Sequence, residues 1–199
     1  MLVETTAGTI GLRYGMTGIP LIDGEPVIAE LEYSSSRLDP DWNRFVAHFD
    51  EGGSLAMNDP RRLGGVELDP DISQLGPDAW AITEPELVAL FARYRVATKA
   101  LLLNQKRVAG LGNLLVDELL WRTGVAPGRA ANEVDHDSVV NIATTLPTML
   151  DELFERGGSN CGDHFSERST DGRCPRDGSE MAHGTVGGRS TWWCQTHQF

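Results

Sequence analysis

Cysteine is scarce in this 199-residue chain: Cys161, Cys174 and Cys194 are all it has, and all fall in the last forty positions. Three clustered cysteines cannot build a disulfide framework, so they point to a local metal site or to no special use. No run of eighteen apolar residues occurs, which excludes a membrane-spanning helix. The start, Met1-Leu2-Val3-Glu4-Thr5-Thr6, has no basic stretch leading into an apolar one, and so no secretory signal. The expected location is the cytoplasm, with no membrane partner. Basic residues are also few: 17 Lys and Arg against 29 Asp and Glu give a net charge of -12. Strong non-specific binding to nucleic acid is excluded by that balance, because such binding rests on neutralised phosphates. The acidity is uneven, however. Residues 1–80 carry 5 basic and 14 acidic groups, residues 81–159 carry 8 and 10, and residues 160–199 carry 4 and 5. The last two stretches are close to neutral, so a few placed residues there remain able to grip a polyanion.

What is present supports an α+β chain. Apolar residues make up 40%, enough for a core in one compact unit or two small ones. Leu2–Thr6 and Thr9–Tyr14 alternate about an Ala7-Gly8 turn and predict a hairpin. Pro26–Tyr33 is a further strand candidate. Arg44–Phe49 and Ser54–Met57 flank an Asp50-Glu51-Gly52-Gly53 turn. A Pro/Asp/Gly stretch from Asp69-Pro70 to Gly76-Pro77 reads as a boundary. Helices follow. Thr83 and Glu86 form a capping box ahead of Leu87, Leu90 and Phe91. Val96–Gln105 reads as a second helix and Gly112–Thr123 as a third, ended by Gly124. Asp137–Arg156 reads as a long amphipathic helix stopped by Gly157-Gly158. Residues 160–199 are Gly-rich and poor in core residues, so they need a staple to fold. The expected division is 1–72, 80–158 and 160–199.

The tail holds a sharp pattern. Cys174 and Asp177 form one pair, sixteen residues intervene, and Cys194 and His197 form a second. Two pairs at that separation are how zinc ribbons present four ligands from two turns. Val186-Gly187-Gly188-Arg189-Ser190-Thr191-Trp192-Trp193 between them reads as the tip and return strand of a hairpin. One zinc ion on Cys174, Asp177, Cys194 and His197 is the expectation; a metal-free hairpin held by Trp192 and Trp193 is the alternative. Cys161 and His164 sit outside the spacing. A second pattern runs from Leu103 to Glu118 through Val108-Ala109-Gly110-Leu111-Gly112-Asn113. There a helix ends, two glycines make tight turns, and a new helix begins. Such a start lets backbone amides and an Asn side chain approach a phosphate.

These blocks together resemble the formamidopyrimidine-DNA glycosylase and endonuclease VIII family. Val108–Asn113 with Asp117-Glu118 looks like its helix-two-turn-helix signature, and Val186–Thr191 before Cys194 like its zinc-finger hairpin. Gly15-Met16-Thr17-Gly18 and Asn58-Asp59-Pro60-Arg61-Arg62-Leu63-Gly64 look like the end of its N-terminal β-sandwich, and Leu75-Gly76-Pro77 like its interdomain linker. The fold implied is a partial N-terminal β-sandwich, a helical helix-two-turn-helix domain and a zinc-ribbon-like hairpin. The resemblance implies a base-excision-repair protein that meets double-stranded DNA at a damaged base or abasic site. It matches Met16 to an inserted methionine, Arg61 to an arginine facing the orphaned base, and Leu63 to a wedge position where phenylalanine is usual. Asn113 and Arg189 match residues that pinch the phosphates, and Lys106 lies in the same DNA-facing turn. The family's nucleophile is an N-terminal proline followed by glutamate. This chain opens on Met1-Leu2, so no catalytic residue is assigned and a shortened N-terminus is expected. Three readings follow: a monomeric damaged-DNA binding protein, an active glycosylase and lyase whose start lies upstream, or a protein-interaction scaffold reusing the fold.

Overall fold

Alternation of apolar and polar residues sets the strands of the first seventy positions. In the computed structural model, which describes residues 1–28 and 37–199, β1 (Leu2–Thr5) turns through two residues into β2 (Gly8–Arg13). The expected first hairpin is therefore present. β2 continues the sheet to β7 (Gly65–Leu68), a partner more than fifty residues away. A second sheet runs in the order β4 (Glu25–Pro26), β3 (Ile19–Ile22), β6 (Ser54–Asn58) and β5 (Asn43–His48). β5 and β6 form the second expected hairpin, with a bulge between Asn43 and Phe45. Leu12, Ile19, Leu21, Leu55, Ala56 and Met57 are the buried apolar residues of this part. Of the strand expected over Pro26–Tyr33, Pro26 pairs with Leu21 and the Val27 amide donates to the Pro20 carbonyl, while 29–36 lie outside the described residues. The chain divides into two compact units, Met1–Ile72 and Ser73–Phe199.

The second unit begins helically. α1 (Glu84–Arg93) starts at Thr83, whose capping box with Glu86 is formed. Leu87 and Phe91 face inward from it. α2 is shorter than the spacing predicts, Thr98–Leu102 only. Ala97 is taken up in a bridge to Ala130, and the chain from Leu103 turns so that the Arg107 and Val108 amides reach the Asn104 carbonyl. α3 (Asn113–Thr123) ends in a left-handed Gly124, and α4 (His136–Arg156) in a left-handed Gly157. Asp135 caps α4 through the Ser138 amide, so the helix starts one residue earlier than the sequence pattern marks. One continuous core of leucines and valines joins these helices, centred on Leu119, Leu120, Ile142 and Leu146. The C-terminal hairpin, β8 (Met181–Val186) with β9 (Arg189–Cys194), belongs to the same unit and packs on α3. Among the described residues no helix is long and apolar enough to cross a membrane.

Candidate nucleic-acid interface and metal centre

Gly112, the residue before α3, carries no side chain to cap the first turn, and no cap bond is made there. The first amides of α3 are thus left for an outside acceptor, the arrangement that suits a phosphate. Asn113 is the first helical residue rather than the cap. Its Nδ2 donates to the Ser190 carbonyl at 3.2 Å, across 77 positions of sequence. Its Oδ1 is buried without a partner among the described residues. Ser190 follows Arg189, so this bond draws the hairpin tip to the start of α3. Arg189 is exposed, just past Gly187 and Gly188, whose φ values of 60° and 73° lie in the left-handed region that favours glycine. A Cβ on Gly187 would stand 3.0 Å from the Ala100 Cβ, so the tip also presses closely on α2.

A buried ion cluster fixes that docking. Lys99 is fully buried and its Nζ donates to the Ser190 carbonyl at 3.1 Å and to Thr191 Oγ1 at 2.8 Å. The same ammonium lies 2.6 Å from Asp117, whose other oxygen meets Arg168 at 2.5 Å. Burial pushes the Lys99 ammonium below its ordinary pKa, and Asp117 opposes the shift. Gln105 closes the two tight turns, accepting from the Gly110 amide and donating to the Leu111 carbonyl, both at 2.9 Å. Lys106 is exposed in the preceding turn and donates to Gln74 at 3.3 Å. Among the described residues, no hydrogen bond or ion pair links it to Asn113 or Arg189.

The other expected contacts are in the first unit. Met16, 44% exposed, sits in the turn between β2 and β3; Arg61 and Leu63 are exposed in the turn between β6 and β7. The bases of the two turns are joined, since Thr17 Oγ1 donates to Asp59 Oδ1 at 2.6 Å.

The four expected metal ligands converge. One donor atom each from Cys174, Asp177, Cys194 and His197 lies within 4.8 Å of all the others. Cys174 Sγ is 3.5 Å from His197 Nδ1, Cys194 Sγ 3.2 Å from Asp177 Oδ2, and His197 Nδ1 3.2 Å from the same oxygen. A tetrahedral zinc ion with ligands at ~2.0–2.3 Å sets neighbouring donors about 3.3–3.8 Å apart, so the set fits. His197 Nε2 reaches the Trp121 carbonyl at 3.1 Å, which directs the Nδ1 lone pair toward the other three donors. Trp121 Nε1 donates to Cys174 Sγ at 3.4 Å. Hydrogen bonds from Ser179 hold the Asp177 carboxyl well below the usual carboxylate range. Cys161 and His164 stand apart from this set. His164 stacks on Trp121 and bonds the buried Glu118 at 2.7 Å.

Sequence reading missed Lys99, Gln105, Asp59 and Trp121. Gln105 acts on the neighbouring turn, but Lys99, Asp59 and Trp121 act through partners that no local spacing reveals; Lys99 and Thr191 are 92 positions apart. The only available signal was a lone charged residue inside a helix rich in Leu and Ala.

The family profile described as "Formamidopyrimidine-DNA glycosylase H2TH domain" matches residues 75–164. The chain is 36% identical over 165 residues to the formamidopyrimidine-DNA glycosylase of Paracoccus denitrificans, covering 79% of this chain and 58% of that protein. It is 30% identical over 228 residues to that of Rhodopseudomonas palustris, covering 98% of this chain and 78% of that protein. The chain therefore spans between 58% and 78% of the length of these two relatives. Among solved structures, the Lactococcus lactis formamidopyrimidine-DNA glycosylase bound non-covalently to AP-site-containing DNA shares the fold. Its TM-score is 0.77 at 24% identity, over 99% of this chain and 76% of that one.

Proposed function

The chain belongs to the formamidopyrimidine-DNA glycosylase and endonuclease VIII family, and from that premise we propose that it is a monomeric protein that recognises damaged or abasic sites in double-stranded DNA. The observation that carries the reading is the shared Ser190 carbonyl. Asn113 and Lys99 both donate to it, which brings Arg189 to the uncapped start of α3. A helix N-terminus, an amide and a guanidinium in one place form a clamp for backbone phosphates. Lys106, in the turn ahead of α3, adds a further positive group. Met16, Arg61 and Leu63 are the groups that occupy the space of an extruded base. We assign no residue of this chain to a glycosylase or lyase step.

One structural Zn2+ is part of the proposal, held by Cys174, Asp177, Cys194 and His197. The donor separations and the His197–Trp121 contact support it. When bound, the ion supplies a cross-link between the two ends of the hairpin. The residues themselves orient that hairpin on Trp121.

The test is equilibrium binding, by fluorescence anisotropy, to a duplex containing one tetrahydrofuran abasic analogue. Asn113→Ala and Arg189→Ala are each expected to weaken binding about tenfold, the size of one charge-assisted hydrogen bond. Affinities equal to wild type in both variants would contradict the clamp.

A further inference from the structure

Asp59 is a carboxylate with no access to solvent, placed where β6 ends and the Pro60–Gly64 turn begins. Its Oδ1 accepts from Thr17 Oγ1 at 2.6 Å and from the Arg61 amide at 3.2 Å. Its Oδ2 accepts from the Gly64 amide at 2.7 Å. Burial works to raise its pKa, but the bonds from Thr17 and from the amides of Gly64, Arg61 and Leu63 outweigh it and hold the group ionised. Thr17 is fully buried as well. One anion therefore serves two loops: the one that carries Met16, and the one that carries Arg61 and Leu63.

The surrounding backbone shows how tightly the loops are fitted. A Cβ on Gly15 would fall 2.7 Å from the Leu63 carbonyl oxygen, so the two turns touch directly. A Cβ on Gly64 would fall 2.7 Å from the Arg13 carbonyl oxygen. Arg62 sits at φ 57°, a left-handed conformation that costs a non-glycine residue energy. It is spanned by the Arg61 and Gly64 amides, both bonded to Asp59. Strain of that kind persists only where neighbours over-determine it. Meanwhile the side chains of Met16, Arg61 and Leu63 stay exposed and unburdened by the core.

We propose that Asp59, acting through Thr17, is the positioning residue that locks Met16, Arg61 and Leu63 into one register, so that they enter the DNA as a single rigid device. This rests on the damage-recognition reading above. Neither Asp59 nor Thr17 touches DNA. Their role is to remove the ordering cost that two independent loops would each meet on binding.

The test uses Thr17→Val, which deletes the link while leaving the bonds inside the Pro60–Gly64 turn. A duplex carrying 2-aminopurine opposite a tetrahydrofuran site reports whether the gap is filled, through the emission of the base facing it. Wild-type protein is expected to change that emission. Thr17→Val should lose most of the change and about tenfold of the preference for lesion over intact duplex, with intact-duplex affinity held. Thr17→Ser keeps the hydroxyl and should restore both. In a Met16→Ala background, Thr17→Val should add little, because the link acts through the loop already truncated. Full emission change in Thr17→Val, or a loss equal in the two backgrounds, overturns the proposal. Should Thr17→Val not fold, an emission change and lesion preference in Thr17→Ser no better than in Met16→Ala overturns it too. A wild-type protein with neither emission change nor lesion preference instead removes the damage-recognition reading itself.

Discussion

Glu118 shows what one side chain contributes to holding the site. It is buried at the centre of α3 and is held by His164, Arg122 and the Asp163 amide at 2.7, 2.7 and 3.0 Å. Burial pushes its carboxyl upward, yet those bonds outweigh burial and bring it down to about 2. A carboxyl depressed in the folded state and near ~4.3 when unfolded gives stability that is complete above that value. The contribution is lost as pH falls through the folded value of about 2. The melting temperature of the wild type is therefore expected to drop on going from pH ~5 to ~3. Glu118→Gln should be less stable at pH 7, by the ~3–5 kcal/mol typical of a broken buried ion pair, and show a flatter acid limb. Parallel acid limbs in the two proteins would count against this role. Asn113 is marked as a candidate in the sequence by the glycines that turn the chain into α3, and Arg189 by the family resemblance of its hairpin. Glu118, Lys99 and Asp59 carry no such mark, since what matters is what the fold brings to them from 46, 92 and 42 positions away.

Elements divide in the same way. α1, α3 and α4 are visible in sequence because caps, glycine stops and apolar spacing are all local. The order β4-β3-β6-β5 and the pairing of β2 with β7 are not, because register between distant strands is decided by the sheet as a whole. β7 is also largely exposed, with Leu68 open to solvent, so it lacks the buried face that would reveal it. The β8–β9 hairpin is the element that the proposed zinc site would tie together. Its own apolar cluster is small, namely Trp121, Cys174, Met181 and Cys194 with Trp192 packed against it. A hairpin of that size needs a cross-link to hold its ends. Metal analysis of the purified protein is expected to give one zinc per chain. A strong chelator should release it, with loss of the near-ultraviolet signal of the hairpin tryptophans, while helix content from α1, α3 and α4 persists. Cys174→Ser should behave as the chelated protein does. A chelator that leaves both signals and DNA binding intact would show the metal to be dispensable.

At the level of the molecule, charge bears on how the proposed DNA partner would be met. Fourteen of the 29 acidic residues fall within the first eighty positions, and the net charge is -12. Unfavourable at long range, that field leaves affinity to a small number of placed contacts such as Arg189 and Lys106. The slope of log affinity against log salt is expected to be shallow, about −2 to −3, corresponding to two or three neutralised phosphates. A slope of −6 or steeper would mean a broad basic footprint that this sequence does not supply. On the proposed reading, selectivity comes from the lesion itself, through Asn113 and Arg189 and the turns bearing Met16, Arg61 and Leu63. The most direct measurement is a competition at fixed salt, with labelled tetrahydrofuran duplex displaced by unlabelled lesion duplex or by intact duplex of the same sequence. The lesion duplex is expected to compete at least tenfold better. Equal competition by the two would contradict recognition of damaged DNA.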